Sequence, residues 1–404
     1  MKKVFSIPSV ITIVILTIVL TFNTTYVLLN VKHNSELNKL KSGQGYFNKL
    51  LTVDEVIRTY YSGEINNEEL MDSIIRGYLE GIGDDYSQYL TASEFDEYIK
   101  EMSGNTVGIG VNVLFDPLTG VIEIINVIPN SPALISGLKV GDYIVAIDGQ
   151  RVLDVGYYKI LELIKGEIGT EVVVTVKRES DEIQITCVRA EIEYLSVENH
   201  VYSGDPDIGV IEISSFNDET PKEVKSAVEE LKALGCKKFI FDLRNNGGGD
   251  LQSILGTLDY LLPEGVLATV HYTGGQTQTF KSGASCLNAP VAVLVNGRTA
   301  SAAELFAAAL RDYTSDGKYD AVLVGTVTYG KGVFQSFFPL PDGSAFKFTR
   351  GRYDPPCGIN YDGVGVIPDI QEDLSDEAKA IGFYKLTDEN DNQLITAANR
   401  LSEK

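Results

Sequence analysis

Residues 291–312 read VAVLVNGRTASAAELFAAALRD. Val291 to Val295 form an apolar run rich in β-branched residues, which predicts a buried strand ending at Asn296. Gly297 opens a turn, and from about Ser301 the apolar residues recur at the three- and four-residue spacing of a helix. A serine at that junction sits where unpaired backbone N–H groups converge and the helix dipole is positive. Such a place favours an attacking alkoxide and the oxyanion formed after it. The same residues have a reading without chemistry, because Ser301 followed three residues later by Glu304 is a capping box. The stretch alone leaves both open.

Working outward, strands keep alternating with helices: IGVIEIS (208–214) precedes PKEVKSAVEELKALG (221–235), and KKFIFDLR (237–244) precedes NNGGGDLQSILGTLDYLL (245–262). This alternation argues for a layered α/β core. Upstream, residues 103–190 are a series of short β-rich runs such as EVVVTVKR (171–178) with two helical pieces, and residues 32–102 carry a helical pattern. Residues 375–404 read as an acidic tail with one weak helical stretch. At the other end, Lys2 and Lys3 precede a run without charge from Val4 to Val31, whose apolar centre Val10–Leu29 has about the 20 residues needed to cross a bilayer core. It reads as an uncleaved signal anchor, with a cleaved signal peptide as the alternative. The leading lysines bias the short end toward the cytoplasm and residues from about 32 onward to the extracytoplasmic side. The expected order is therefore a transmembrane anchor (1–31), a helical module (32–102), a β-rich domain (103–190), an α/β core (191–374) and the tail.

Composition narrows the partners. With 34 Lys and Arg against 56 Asp and Glu the chain carries a net charge of −22, which disfavours nucleic acid. Its four cysteines are widely spaced with no CxxC pair, which argues against zinc and against a dense disulfide framework, and no cofactor is implied.

Two further stretches add chemistry to Ser301. In AVLVGTVTYGKGVFQSFFPL (321–340), Lys331 lies between two glycines in apolar surroundings. Desolvation can hold a lysine neutral and so make it a general base; the alternative is a solvated lysine on a glycine turn. Gly325 and Gly330-Lys331 also imitate a phosphate-binding loop, but Gly332 stands where Ser or Thr must hold magnesium and a strand follows in place of a helix. In FIFDLRNNGGGDL (239–251), the turn at Gly247 and Gly248 can aim backbone N–H groups at an anion. Nucleophile, base and oxyanion donors together are what acyl transfer needs, and the absence of histidine from all three stretches favours a Ser/Lys pair over Ser/His/Asp. A hydrolase using His200 or His271 would need one of them beside Ser301. In the β-rich domain, TVGIGV (106–111) leads into VIPNSPALISGLKVGDYIVAIDGQRV (127–152). A glycine-flanked loop before an edge strand can hold a peptide carboxylate while the peptide adds a strand to the sheet.

Residues 103–190 resemble a PDZ domain, with Gly108, Ile109, Gly110 and Val111 similar to its carboxylate-binding loop. From about 45 to 372 the chain resembles the carboxy-terminal processing peptidases, or tail-specific proteases. The resemblance rests on ELMDSIIRGYLEGIGDDYSQYLT, the PDZ run, FDLRNNGGG, TASAAELFAAALRD, TYGKGVFQ and FKFTRGRYDPPCGINYDGVGVIPDI. It implies a multidomain α+β protein whose α/β peptidase core is crotonase-like, a ββα spiral. By the resemblance Ser301 is the nucleophile, Lys331 the general base and Gln335 the residue that orients the lysine. Gly247 or Gly248 with the N–H of Ala302 would form the oxyanion hole. It implies protein or peptide substrates with accessible C-terminal tails, a homodimer, and a PDZ domain that gates the site. The rival function is a PDZ-containing membrane scaffold that binds tails without cutting them. Where family members often carry Ser-Ala-Ser-Ala-Ser-Glu, this chain has Thr-Ala-Ser-Ala-Ala-Glu, which keeps the central serine.

Overall fold

The computed structural model describes residues 45, 47–102, 105–116, 121–193 and 195–403. The expected anchor, Val10–Leu29, lies outside them; among the described residues no helix is long and apolar enough to cross a membrane. Contacts divide the chain into residues 1–71 and 72–404. The described part of the first unit is a helix over 47–60 and the start of helix Asn67–Glu80.

The second unit is built on three larger sheets. In the central one, strand Val197–Val201 pairs antiparallel with Ile208–Ile213. Lys238–Asp242, Val291–Val295, Ala321–Gly325 and Ile370–Gln371 then follow side by side in parallel. Val291–Val295 and Ala321–Gly325 are buried at every residue, as expected of parallel strands covered on both faces. One face is covered by helices Thr220–Ala233, Leu251–Leu261 and Ala302–Ser315, around Phe216, Phe241 and Phe306. The alanine-rich Ala302–Ser315 is buried on nearly all sides, its small side chains allowing neighbours to approach closely. Each fully buried Leu or Phe contributes roughly 1.5–3 kcal/mol of transfer free energy.

The opposite face corrects one expectation. The segment after Leu374 is not a free tail: helix Asn392–Ser402 lays Leu394, Ala397, Ala398 and Leu401 against Ile208, Val210, Ile240 and Leu294. Its start is anchored by Arg244, which is buried between Asp242 (2.5 Å) and Asp391 (2.7 Å).

A second sheet joins Gln88–Leu90, Val333–Pro339, Ala345–Asp354, Gly265–Tyr272 and Thr277–Ser282. Gln88–Leu90 comes from far upstream and pairs with Ala345–Asp354 (Gln88 opposite Lys347). The third sheet, spanning residues 111–188, has its own core of Ile109, Ile122, Ile124, Leu138, Ile160 and Val174. A two-stranded clasp of Asn105–Gly108 and Ala190–Glu193 closes its base.

Candidate active site

Three adjacent parallel strands, Lys238–Asp242, Val291–Val295 and Ala321–Gly325, end side by side. The turns after them carry the three stretches singled out above, so residues distant in sequence meet at the carboxyl edge of one sheet, the usual place for sites in open α/β sheets. Side chains stitch the turns together. Asn245 and Asn296 exchange hydrogen bonds: the Asn245 N–H reaches Asn296 Oδ1 and Asn296 Nδ2 reaches Asn245 Oδ1, each at 3.0 Å. Thr299 Oγ1 donates to the Leu243 carbonyl at 2.8 Å.

Ser301 immediately precedes helix Ala302–Ser315 with φ +58° and ψ −120°, a backbone state rare for residues with a side chain. Its surroundings hold it there. The N–H donates to Glu304 Oε2 at 2.8 Å, and the carbonyl accepts the N–H groups of Glu304 and Leu305 and the Tyr361 hydroxyl (3.3 Å). Its Oγ is met by the Tyr353 hydroxyl at 3.2 Å.

Glu304 does more than cap a helix. Its carboxylate is fully buried and, among the described residues, has no cation in ion-pair contact; instead it accepts four hydrogen bonds. Oε1 takes Thr328 Oγ1 (2.5 Å) and the Gly330 N–H (2.6 Å), while Oε2 takes the N–H groups of Lys331 (2.7 Å) and Ser301 (2.8 Å). Four donors and the positive end of a helix stand in for a counter-ion. One carboxylate thus fixes the main chains of both Ser301 and Lys331.

The Lys331 amine is half-buried. Burial pulls its pKa below the ordinary 10.5, the Lys347 charge pulls the same way, and Asp84 and Glu304 oppose. Its Nζ lies over the Tyr86 ring, 4.4 Å from the centroid, and among the described residues it makes no hydrogen bond to Ser301. Lys347 is likewise lowered by burial and rests over the rings of Phe337 and Tyr98. Gln335 is not on the lysine in this structure. It donates to Thr349 Oγ1 (3.2 Å), which donates to Asp84 Oδ1 (3.0 Å). Burial of Asp84 opposes its ionisation, but hydrogen bonds from Ser87 and Thr349 outweigh that and keep its pKa low.

Of the oxyanion candidates, Gly248 has its N–H engaged by Asn246 Oδ1 at 2.8 Å. Among the described residues no acceptor meets the N–H groups of Gly247 and Ala302. Gly248 still shapes the site: it has φ +102°, and a Cβ there would stand 2.8 Å from the Ser301 Cβ and 2.9 Å from the Ala302 nitrogen, so only glycine lets the two turns touch. The histidines bond elsewhere, His200 to Asp388 (2.9 Å) and His271 to Asp354 (2.8 Å). The stretch after Lys331 is strand Val333–Pro339 and not the helix of a phosphate-binding loop.

In the third sheet, Gly108 belongs to the clasp and Ile109 is fully buried, its carbonyl accepting the Ala133 N–H at 2.8 Å. Gly110 has φ +83°, and a Cβ on it would collide with Ser131. No acceptor meets the N–H groups of Ile109 and Gly110 among the described residues. Val111 opens strand Val111–Asp116, which lines one wall of a cleft of about 830 Å³. Glu198, Glu212 and Asp388 line the other, and the cleft reaches Asn245, two residues before Gly247. Glu212 is exposed toward this cleft, and burial, then the Asp242 and Glu198 charges, push its carboxyl up to about 7. All four cysteines are free.

The sequence model of Peptidase family S41 matches residues 207–372, and a PDZ domain model matches residues 123–178. The chain is 31% identical over 364 residues to a protein named "Probable CtpA-like serine protease" from Staphylococcus aureus (strain MRSA252), covering 89% of this chain and 71% of that one. A Staphylococcus haemolyticus protein of the same name is 32% identical over 316 residues, 77% of this chain and 62% of that one. Among solved structures, a putative S41 protease from Bacteroides fragilis NCTC 9343 covers 81% of this chain and 90% of its own at a TM-score of 0.56 and 19% identity, a likeness of fold.

Proposed function

The chain belongs to peptidase family S41 as a CtpA-like serine protease with a PDZ domain, and from that premise we propose that it is a membrane-anchored endopeptidase working by a Ser301/Lys331 pair on tails held by its PDZ domain. The observation that carries this reading is the single buried carboxylate of Glu304, to which the N–H groups of both Ser301 and Lys331 donate. Ser301 Oγ attacks the scissile carbonyl carbon as its proton passes to Lys331 Nζ. The oxyanion is met by the N–H groups of Gly247 and Ala302. The lysine then protonates the leaving amine, and water hydrolyses the acyl-enzyme by the reverse sequence. Burial favours the neutral amine this needs. Because Nζ rests on Tyr86, the reaction requires the side chain to turn from the ring to the serine hydroxyl.

Substrates enter as an extended carboxy-terminal strand beside Val111–Asp116, with the terminal carboxylate on the N–H groups of the Gly108–Val111 loop. The cleft from that strand to Asn245 supports this path. The apolar run Val10–Leu29 supports a single-pass anchor with the catalytic part on the extracytoplasmic side, and the family resemblance supports a homodimer. The test is a cleavage assay beside a tail-peptide binding assay. Ser301→Ala and Lys331→Ala each lose nearly all cleavage and keep peptide binding; substantial turnover by either variant refutes the pair. Binding without cleavage by the unaltered chain would favour the scaffold reading.

A further inference from the structure

We propose that Tyr353 is a further catalytic residue, whose hydroxyl donates to Ser301 Oγ and stabilises the charge gathering there during attack. This rests on Ser301 being the nucleophile. Tyr353 lies at the end of strand Ala345–Asp354, 52 residues beyond the serine, and is buried. Its one phenolic proton has two acceptors in reach, the Lys331 carbonyl at 3.0 Å and Ser301 Oγ at 3.2 Å.

That competition makes the interaction useful for rate. With a neutral serine the nearer carbonyl is an equal claimant for the proton. As Oγ passes its own proton to Lys331 it becomes the more basic acceptor, and a charge-assisted bond is about twice as strong as a neutral one. The gain therefore arises in the transition state more than in the ground state, which is the condition for acceleration. Tyr353 shares its proton and does not surrender it: burial raises the phenol's pKa, so it stays an O–H donor while the proton of Ser301 goes to Lys331. When the acyl-enzyme breaks, the same O–H steadies Oγ as the leaving group until a proton returns to it. Tyr361 sits behind, hydrogen-bonded to Tyr353, with its ring at 6.1 Å in an edge-on arrangement. The Tyr361 hydroxyl donates to the Ser301 carbonyl at 3.3 Å, so toward Tyr353 its part is to hold the ring in place.

The experiment uses the full-length chain in detergent, a fluorophosphonate probe that labels an active serine, and casein as a generic substrate. Tyr353→Phe removes one oxygen atom and keeps the ring. The expected result is labelling and casein cleavage slowed roughly 10- to 100-fold at every pH, less than the roughly 100- to 1000-fold of losing an oxyanion-hole donor because the Lys331 carbonyl competes for the same proton. The pH of the half-maximal rate stays that of the parent, because Lys331 still sets it. Unchanged or faster labelling in a folded Tyr353→Phe variant overturns the proposal. Where that variant fails to fold, 3-fluorotyrosine placed at 353 keeps the shape and makes the phenol more acidic; faster labelling supports the proposal and an unchanged rate overturns it. A parent chain labelled somewhere other than Ser301 refutes the nucleophile assignment itself, whereas a labelled Ser301 indifferent to position 353 refutes only the role of Tyr353.

Discussion

Replacing Glu304 by glutamine exchanges one carboxylate oxygen for an NH2 group and alters little else in shape. Each oxygen accepts two hydrogen bonds, Oε1 from Thr328 and Gly330 and Oε2 from Ser301 and Lys331. The amide suffers least with its oxygen toward Ser301 and Lys331 and its NH2 toward Thr328, whose hydroxyl can rotate to accept. The Gly330 N–H cannot adapt and is left buried without a partner. One orphaned donor costs about 1–3 kcal/mol, and the surviving bonds lose their charge assistance, so the total is about 3 kcal/mol. For a cooperative unit of roughly 200 residues, about the size of the α/β core, that lowers the melting temperature by about 6–12 °C. Activity falls as well, by roughly 10- to 100-fold, because the main chains of the proposed nucleophile and base are no longer pinned to one point. Glu304→Ala, which orphans all four donors, must be worse on both counts. Differential scanning calorimetry and fluorophosphonate labelling read the two effects. A glutamine variant melting within about 1 °C of the parent and labelling at the parental rate refutes the reasoning, as does an alanine variant milder than the glutamine one.

Three other outcomes are expected. Activity rises with pH along a limb below the ordinary lysine value, since only neutral Lys331 accepts a proton; Lys347→Gln removes a neighbouring positive charge and moves that limb to higher pH, whereas an unmoved or lowered limb contradicts the coupling. The raised pKa of Glu212 means that its contribution to stability is full below pH 4.5 and is lost as pH climbs to about 7. Glu212→Gln therefore melts above the parent at pH 8 with the gap closing toward pH 4.5, and a gap independent of pH contradicts this assignment. Arg244→Met leaves Asp242 and Asp391 buried without their cation and costs about 3–5 kcal/mol by urea denaturation; a loss under about 1 kcal/mol would show that the anchor of helix Asn392–Ser402 lies elsewhere.

The layered core was readable in the sequence wherever a signal is local. Unbroken apolar strands such as Val291–Val295 and glycine-marked turns announce themselves within ten residues. Glu304 shows where such reading stops: its bond to Ser301 is local and looks like a cap, but its partners Thr328, Gly330 and Lys331 lie 24–27 residues away and only the fold brings them in. Gln335 was expected on Lys331, yet in this structure its cross-strand neighbour Thr349 takes its amide; strand register decides that, and register is not written in one strand. Helix Asn392–Ser402 gives only a weak signal because two of its five buried residues are alanine, which carries little hydropathy but packs closely. Tyr353 left no mark at all, since a lone tyrosine among polar and charged neighbours gives no hint of the serine 52 residues before it.

Asp84 and the ring of Tyr86 belong, by position in the chain, to a region that precedes the PDZ domain, yet they face the amine of Lys331. A recombinant fragment trimmed to the stretch matched by the peptidase family, 207–372, would keep Ser301, Glu304, Lys331 and Tyr353 and lose both. Its lysine would lose part of the burial that lowers its pKa, so at any given pH more of the amine would be protonated and less of it free to accept a proton. On the proposed Ser301/Lys331 mechanism, shortening the chain from the front would weaken the pair before any residue of the reaction is touched.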